Sequence, residues 1–347
     1  MKLNVFRIGG FRFPAIAVAL AIAGSAIAPA QSRFDSRIAF VQGPDIYSMN
    51  PDGSDVRQLT NLGASNSAFY ESWSADGLQL AFSEYPNNGL GQLWLMNAAD
   101  GSGQHLLLSE ADYDEEAPAF SPDGGWVVFR RCPSDFSDCA IYKIRTDGSG
   151  LTQVTDFQPA ILDWEAQYSP DGMSIIVESL NRGGLIADSW LLNSDGRDLH
   201  PLTPPKLLAI DPQWSPDGEK IAFGHCCSAQ TADIWVINRD GHDLHRLTGN
   251  HKTDLAIPAP YYNGAPSWSP DGRAIVFNQY TPSTNTNAIL VINADGSERR
   301  QVMSLPAAHR RVSSLGTAEG PLRNKRQGLT REIESGGVFP RWSPELQ

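Results

Sequence analysis

Residues 212–223 read PQWSPDGEKIAF, and residues 234–248 read IWVINRDGHDLHRLT. The first stretch places Ser-Pro-Asp-Gly after an aromatic residue. These residue types favour a type I turn, because proline pre-sets φ and glycine tolerates the conformation at which the chain reverses. Short apolar runs flank this turn and the Asp-Gly turn of the second stretch, which is typical of antiparallel strands joined by hairpins. Together the two stretches predict one four-stranded antiparallel sheet.

The same pattern recurs through most of the chain. The turn motif appears as WSADG at Trp73, FSPDG at Phe120, YSPDG at Tyr168 and WSPDG at Trp268, and a partial copy, WSPEL, begins at Trp342. The complete copies are about 46 to 54 residues apart, the length of one four-stranded propeller blade. The repeat therefore predicts an all-β fold, a six-bladed β-propeller of four-stranded antiparallel blades.

The two ends of the repeat region complement each other. Residues 37–60 supply the second to fourth strands of a blade without a first strand, whereas FPRWSP at 339–344 supplies a first strand without its followers. We therefore expect the N- and C-terminal strands to pair in one blade. Such pairing closes the ring and removes exposed sheet edges.

Residues 1–30 form a separate segment. Lys2, Arg7 and Arg12 precede an apolar run at 14–30 that ends in Ala-x-Ala patterns, which is the form of a cleavable secretory signal peptide. An uncleaved anchor is the alternative, although the run is short for a bilayer span. We expect a periplasmic or secreted propeller over residues 31–347, with no membrane span after cleavage.

The region after the signal is acidic. It holds 24 of the 27 Lys and Arg residues and all 39 Asp and Glu residues, so its net charge is about −15. This charge disfavours nucleic acid and anionic lipid as partners. Cationic ligands, metal ions and basic protein surfaces are compatible with it.

Four cysteines occur in this exported chain. Cys132 and Cys139 flank PSDFSD between two strand-like runs, and a hairpin there would bring their side chains within bridging distance. We predict a disulfide between them. Cys226 and Cys227 are adjacent, and the sequence leaves open whether they form a vicinal disulfide or stay as thiols.

The repeated motif resembles that of the TolB-like β-propellers, which contain WD40-like repeats. Pro212 to Phe223 and Ile234 to Thr248 match the family pattern, and similar copies span about residues 35–347. The resemblance implies a propeller that binds a protein or peptide in the cell envelope. The family's namesake, a periplasmic component of the Tol–Pal system, carries an α/β domain before its propeller. We expect none here, because few residues separate the signal from the first repeat.

Long and variable segments gather at the blade end opposite the tight turns, so we expect the binding face there. Carboxylates also precede several first strands, which line a propeller's channel. These channel-mouth candidates for ligand binding are Glu71, Glu115, Glu116, Asp163, Glu165 and Asp211. They predict an acidic collar that attracts a basic peptide or a divalent cation such as Ca²⁺. Solvated loop charge is the alternative interpretation.

An insertion over residues 306–337 separates the last two copies of the motif and is partly basic. It contains His309, Arg310, Arg323 and Lys325 among other charged residues. A solvated loop, a basic lid over the channel and a docking segment for a partner are the three interpretations of this insertion.

Catalytic motifs find little support in the sequence. It has no G-x-S-x-G elbow and no α/β segment for a hydrolase triad. We therefore expect a monomeric binding scaffold that is not an enzyme and needs no cofactor. A metal-assisted lyase or hydrolase, acting on a carbohydrate or small molecule at the channel mouth, is the alternative. A purely structural envelope protein is the third hypothesis.

Overall fold

The computed structural model describes residues 36–156, 161–180, 182, 187–205, 207–228, 231–249, 261–306 and 341–343. Within these residues the regular structure is β-strand, apart from one short 3-10 turn at Pro86–Asn88. The predicted signal peptide and residues 307–337 of the predicted insertion lie outside the described residues. No helix in the described part is long and apolar enough to cross a membrane.

The strands follow the sequence repeat. The first three sheets contain β1 (Ile38–Gln42), β2 (Asp45–Met49) and β3 (Arg57–Gln58); β4 (Ser67–Trp73), β5 (Gln79–Tyr85), β6 (Gln92–Asn97) and β7 (His105–Leu108); and β8 (Tyr113–Phe120), β9 (Trp126–Pro133), β10 (Ala140–Arg145) and β11 (Thr152–Gln153). The next three contain β12 (Leu162–Tyr168), β13 (Ser174–Leu180), β14 (Ala187–Asn193) and β15 (His200–Pro201); β16 (Ala209–Trp214), β17 (Lys220–Ser228), β18 (Thr231–Asn238) and β19 (His245–Arg246); and β20 (Tyr261–Trp268), β21 (Ala274–Thr281), β22 (Thr286–Asn293) and β23 (Arg300–Pro306).

The last described strand, β24 (Arg341–Trp342), joins the first sheet. It pairs antiparallel with β1, so that Ile38 lies opposite Trp342 and Ala39 opposite Arg341. The first sheet thereby becomes four-stranded, in the order β24-β1-β2-β3. The predicted closure by strands from both ends of the repeat region is confirmed.

Neighbouring sheets also meet through backbone hydrogen bonds near the start of several inner strands. The amide of Ala68 donates to the carbonyl of Pro44 at 2.9 Å, and that of Glu115 donates to Gly91 at 3.2 Å. Between the fifth and sixth sheets this contact becomes a short parallel pairing of β18 with β20, so these eight strands form one continuous sheet.

The core lies between the sheets. Side chains on the two faces of each middle strand enter different clusters, as Leu80 and Phe82 do on one face of β5 and Ala81 does on the other. Each of six buried clusters joins consecutive sheets, and the last packs Val276 of the sixth sheet against Phe40 of the first. This cyclic packing is a propeller-like arrangement and explains why the middle strands are apolar throughout.

The Ser-Pro-Asp-Gly turn is closed by its own side chains. In the fifth sheet the Ser215 hydroxyl donates to Asp217 at 2.5 Å, and the same carboxylate accepts the amide of Glu219 at 3.0 Å. Gly218 has a φ of +72°, which glycine adopts without strain. The aspartate of the motif therefore stabilises the turn by accepting hydrogen bonds from residues within it.

The Leu-Thr dipeptide that ends several repeats has a related role. The Thr60 hydroxyl accepts the amide of Ile46 at 2.9 Å and donates to Asp45 at 2.9 Å. Thr248 repeats both bonds with Ile234 and Asp233 in the fifth sheet. Each threonine thus satisfies polar groups at the buried start of a third strand.

Prolines of the turns lie beside glycines of the next sheet. A Cβ built on Gly172 would lie 3.8 Å from Cδ of Pro122, and one built on Gly218 would lie 3.6 Å from Cδ of Pro170. Gly124 has no such neighbour within 4 Å, because the preceding motif has Ala75 in place of proline.

We predict that Ala75→Pro stabilises the protein. Proline should fill the gap beside Gly124 and restrict the unfolded chain, which together raise the free energy of unfolding by about 0.5 kcal/mol. Urea unfolding monitored by circular dichroism measures the change. Pro122→Ala is the matched control and should lower stability by a similar amount; an unchanged or lowered midpoint for Ala75→Pro would contradict the expectation.

Candidate functional site

The inner strands of the sheets surround the centre of the ring. They contact one another in cyclic order, β4, β8, β12, β16, β20 and β24, and β24 in turn contacts β4. A cavity of about 20 Å³ lies between β4, β8, β12 and β24, with room for roughly one water molecule. Glu71, Glu165 and Arg341 are among the residues that line it.

A β-bulge determines which carboxylates point to the centre. Five inner strands share a register shift, which lies between Phe69 and Ser72, Glu116 and Ala119, Asp163 and Ala166, Ile210 and Gln213, and Gly264 and Ser267. A bulge redirects the side chains of its residues. Glu71, Glu165 and Asp211 all lie inside these bulges, and Asp211 itself has a φ of 51°.

Glu71 is the most isolated of these carboxylates. It is 1% exposed, and neither side-chain oxygen has a hydrogen-bond partner. Burial raises its pKa to about 8, against the smaller opposing effects of its own backbone and of Arg341. A buried carboxyl without partners favours its neutral form in this way.

Glu165 and Asp211 form a neighbouring pair. Arg341 Nη2 lies 3.8 Å from Glu165 Oε2, and the Ala265 amide donates to Asp211 at 3.1 Å. Burial raises the pKa of both carboxyls, and the charge of Asp211 raises that of Glu165 further. Glu178, on β13, accepts the Asp211 backbone amide at 3.0 Å and also raises the pKa of Glu165.

We call Glu71, Glu165, Glu178 and Asp211 the central carboxylate cluster. All four are buried, and Arg341 is the cation whose charge acts on Glu71, Glu165 and Asp211. The charge of one arginine therefore acts on three buried carboxyl groups that have little access to water. The cluster can hold protons at neutral pH and can accept hydrogen bonds from a further cation.

Glu116 points away from this cluster into a contact between sheets. It pairs with Arg130 and accepts a hydrogen bond from the Tyr85 hydroxyl. Arg130 also bonds Asp114 at 3.1 Å and stacks 3.4 Å above the Trp164 ring. A buried arginine thus neutralises these acids and joins the third sheet to the fourth.

Glu115 belongs to a second arginine contact. Arg131 Nε lies 3.8 Å from Glu115 Oε1, and the same guanidinium bonds Glu110 at 2.5 Å and stacks on Tyr113. Burial nevertheless raises the pKa of Glu115 to about 8. Asp163, by contrast, accepts both Arg182 at 2.8 Å and the Ser179 hydroxyl at 2.6 Å.

The six carboxylates singled out in the sequence are thus all buried, but they lie in separate groups. Glu71, Glu165 and Asp211 converge on the centre, whereas the other three meet arginines within or between sheets. Sequence reasoning missed these arginines and Glu178. The sequence does mark Arg341 as unusual, because it is the one arginine directly before the aromatic residue of the turn motif. The other copies have a small or amide residue there, namely Ser72, Ala119, Gln167, Gln213 and Ser267.

The structure joins Cys132 and Cys139 by a disulfide with an S–S distance of 2.03 Å. The bridge connects the end of β9 to the residue before β10, close to the Arg131 contact. Cys226 and Cys227 lie on β17, but their side chains are outside the described part of the structure.

Comparison with known sequences supports the repeat assignment. A family model described as the TolB beta propeller domain matches residues 25–186. An uncharacterised protein of Agrobacterium fabrum is 27% identical over 189 residues, which cover 51% of this chain and 60% of that protein. A TolB homolog of Chlorobium luteolum is 30% identical over 160 residues, 44% of this chain and 34% of the homolog. The chain thus spans less than two thirds of either relative.

Comparison with solved structures shows the fold. TolB from Acinetobacter baumannii superposes with a TM-score of 0.65 over 90% of this chain and 67% of that one, at 22% sequence identity. Sheets packed in a cycle around a central channel define the class of β-propellers. Within that class the chain is similar to the TolB-like β-propellers in both sequence and fold, so the predicted resemblance is confirmed.

We predict that Glu71→Gln stabilises the protein at alkaline pH only. Folded Glu71 keeps its proton up to about pH 8, whereas an unperturbed glutamate loses it near pH 4.5. The unfolded state therefore gains stability relative to the folded state as pH rises between these values. A tenfold change in proton affinity corresponds to about 1.4 kcal/mol, so a gain on the order of 2–4 kcal/mol is expected at about pH 9 and little at about pH 5.

Urea unfolding of both proteins at pH 5 and pH 9 measures this difference. Glu219→Gln, at an exposed position, is the control and should change stability little at either pH. An equal effect of Glu71→Gln at both pH values would show that Glu71 does not titrate in this range.

Proposed function

We propose that this protein is an exported, six-bladed TolB-like propeller that binds a protein or peptide of the cell envelope. The six sheets are the blades of one closed ring, the protein acts as a monomer in the periplasm or outside the cell, and it is a scaffold without catalytic activity. The observation that supports this proposal is the central carboxylate cluster, whose buried oxygens include several without partners.

The charge of the cluster indicates what kind of group the ligand presents. Glu71 has two unpartnered oxygens and Glu165 has one, all buried. Leaving a buried acceptor unsatisfied is unfavourable, and a cationic donor that reaches it forms a charge-assisted hydrogen bond. A lysine or arginine side chain of an extended peptide has the length and charge to do this. The acidic surface of the chain would attract such a peptide.

We infer that the ligand approaches this cluster from the loop-rich ends of the inner strands. Connections such as the one closed by Cys132 and Cys139 lie at this end, on a rigid ring of sheets. Segments presented by a rigid scaffold are the usual place for recognition residues. We infer that these loops contact the body of the partner while the cluster holds one cationic side chain.

A capture experiment with an envelope extract tests the proposal. Purified protein beginning at residue 31 serves as bait, beside the double variant Glu71→Gln/Glu165→Gln and the surface control Glu219→Gln. We expect a partner that the wild type and the control retain and that the double variant loses. Partners that bind all three baits equally, or none of them, would contradict binding through the cluster.

We predict that binding of a cationic peptide releases protons. Because Glu71 is protonated below about pH 8, a lysine side chain that pairs with it must displace that proton. Affinity should then rise about tenfold per pH unit for each proton released, and level off above about pH 8.

Calorimetry with acetyl-tetralysine-amide, repeated in phosphate and Tris buffers, measures the released protons. Lysine stays charged throughout this range, so its own titration does not contribute. The Glu71→Gln variant should release fewer protons than the wild type. A binding enthalpy that does not depend on the buffer, with an affinity independent of pH, would exclude this coupling.

The metal-assisted enzyme remains a prediction from the sequence. Among the described residues, no group of three or more His, Cys, Asp or Glu side chains is arranged to hold a metal ion. Calorimetric titration of the protein with Ca²⁺ or Mn²⁺ tests this alternative directly. Micromolar binding that is lost in Glu71→Gln/Glu165→Gln would support it.

A further inference from the structure

Arg341 occupies an unusual position, since it belongs both to the closing strand and to the channel. Its backbone pairs with Ala39 on β1, and its carbonyl accepts the Trp73 indole N–H at 3.3 Å. The residue is 8% exposed and lines the same cavity as Glu71 and Glu165. The strand that closes the ring therefore also delivers a cation to the central carboxylate cluster.

The carboxylates hold this arginine loosely. Nη2 is 3.8 Å from the Glu165 carboxylate, beyond hydrogen-bonding distance. The hydrogen bond from Nη1 goes instead to the backbone carbonyl of Pro266, at 3.3 Å. Both Glu71 oxygens and Glu165 Oε1 remain without partners around it. Arg341 thus supplies charge to the cluster without a hydrogen bond to Glu71 or Glu165.

We propose that Arg341 is an internal competitor for the cation site of the channel, and that a ligand's cationic side chain displaces its charge from the cluster. This inference rests on the proposed binding function and adds a means of control to it. The cavity has room for about one water-sized group, so two cations cannot sit side by side there without repulsion.

Competition at Arg341 couples binding to ring closure. β24 pairs with β1 through two described residue pairs, next to a hydrogen bond from the Ser343 amide to the Arg37 carbonyl at 2.6 Å. The Trp342 amide donates to the Ser267 hydroxyl of β20 at 3.1 Å, and the Trp342 indole N–H donates to the Ser36 hydroxyl at 2.8 Å. A ligand cation that takes over Glu165 and Asp211 removes an electrostatic attraction that keeps Arg341 in place. By linkage, ligand binding then weakens the hold on β24, and a looser β24 favours binding.

Removal of the arginine charge tests the competition. We compare wild type, Arg341→Met and Arg341→Lys for binding of acetyl-tetralysine-amide by calorimetry at pH 8. Arg341→Met keeps most of the side-chain volume without the charge and should bind about tenfold more tightly, equivalent to the loss of one moderate like-charge contact. Arg341→Lys keeps the charge and should bind as the wild type does.

Equal or weaker binding by a folded Arg341→Met variant would overturn the competition, while the proposed function would stand as long as the wild type binds. Absence of peptide binding in the wild type and in both variants would refute the proposed function itself. The thermal midpoint of each variant shows whether it is folded.

Hydrogen exchange in the wild type gives a second test that does not depend on any variant. Saturation with acetyl-tetralysine-amide should speed exchange of the Trp342 and Ser343 amides at least severalfold, because β24 is held less firmly. Slower or unchanged exchange at both amides, under conditions in which calorimetry shows saturation, would overturn the coupling.

Discussion

A single four-stranded sheet of this chain cannot bury its own apolar faces. Each middle strand is apolar on both sides, as Val276 and Phe277 show on β21, and each side needs a neighbouring sheet. The requirement is met only when the last sheet packs against the first. The contact of Phe40 with the β21 and β22 side chains, and the pairing of β24 with β1, are therefore the constraints on which the whole fold depends.

Ring closure also determines the chemistry at the centre. Inner strands that converge on one axis leave little space and little water, so any carboxylate directed there is desolvated. The bulges direct Glu71, Glu165 and Asp211 into this space. Residues one or two positions earlier, such as Glu116 and Asp163, lie outside the bulge and meet arginines instead. The position of a carboxylate relative to the bulge therefore decides whether it pairs with an arginine or joins the central carboxylate cluster.

Much of the fold follows from local sequence, because the turn motifs contain their own partners. Ser215 and Asp217 close their turn across two residues, so the pattern indicates the turn wherever it occurs. The sequence also shows carboxylates at similar places in several repeats. It does not show which residues pair with them. Arg341 lies far along the chain from Glu165, and residue type does not show toward which neighbours the bulge turns the Asp211 side chain. Burial and pairing of these charges depend on the closed ring.

The contrast between Glu116 and Glu71 supports the proposed binding role of the central carboxylate cluster. Both are buried glutamates on inner strands of adjacent sheets, and a buried carboxylate is unfavourable without a partner. The chain gives Glu116 an ion pair with Arg130 and a hydrogen bond from the Tyr85 hydroxyl, which shows that a neighbouring cation can be supplied within this fold. It leaves Glu71 without a hydrogen-bond partner beside the small cavity between the inner strands. A group that only stabilised the ring would be better replaced by an apolar side chain of similar volume. The proposed ligand, whose cationic side chain would complete the hydrogen bonds of Glu71, accounts for a carboxyl at this position.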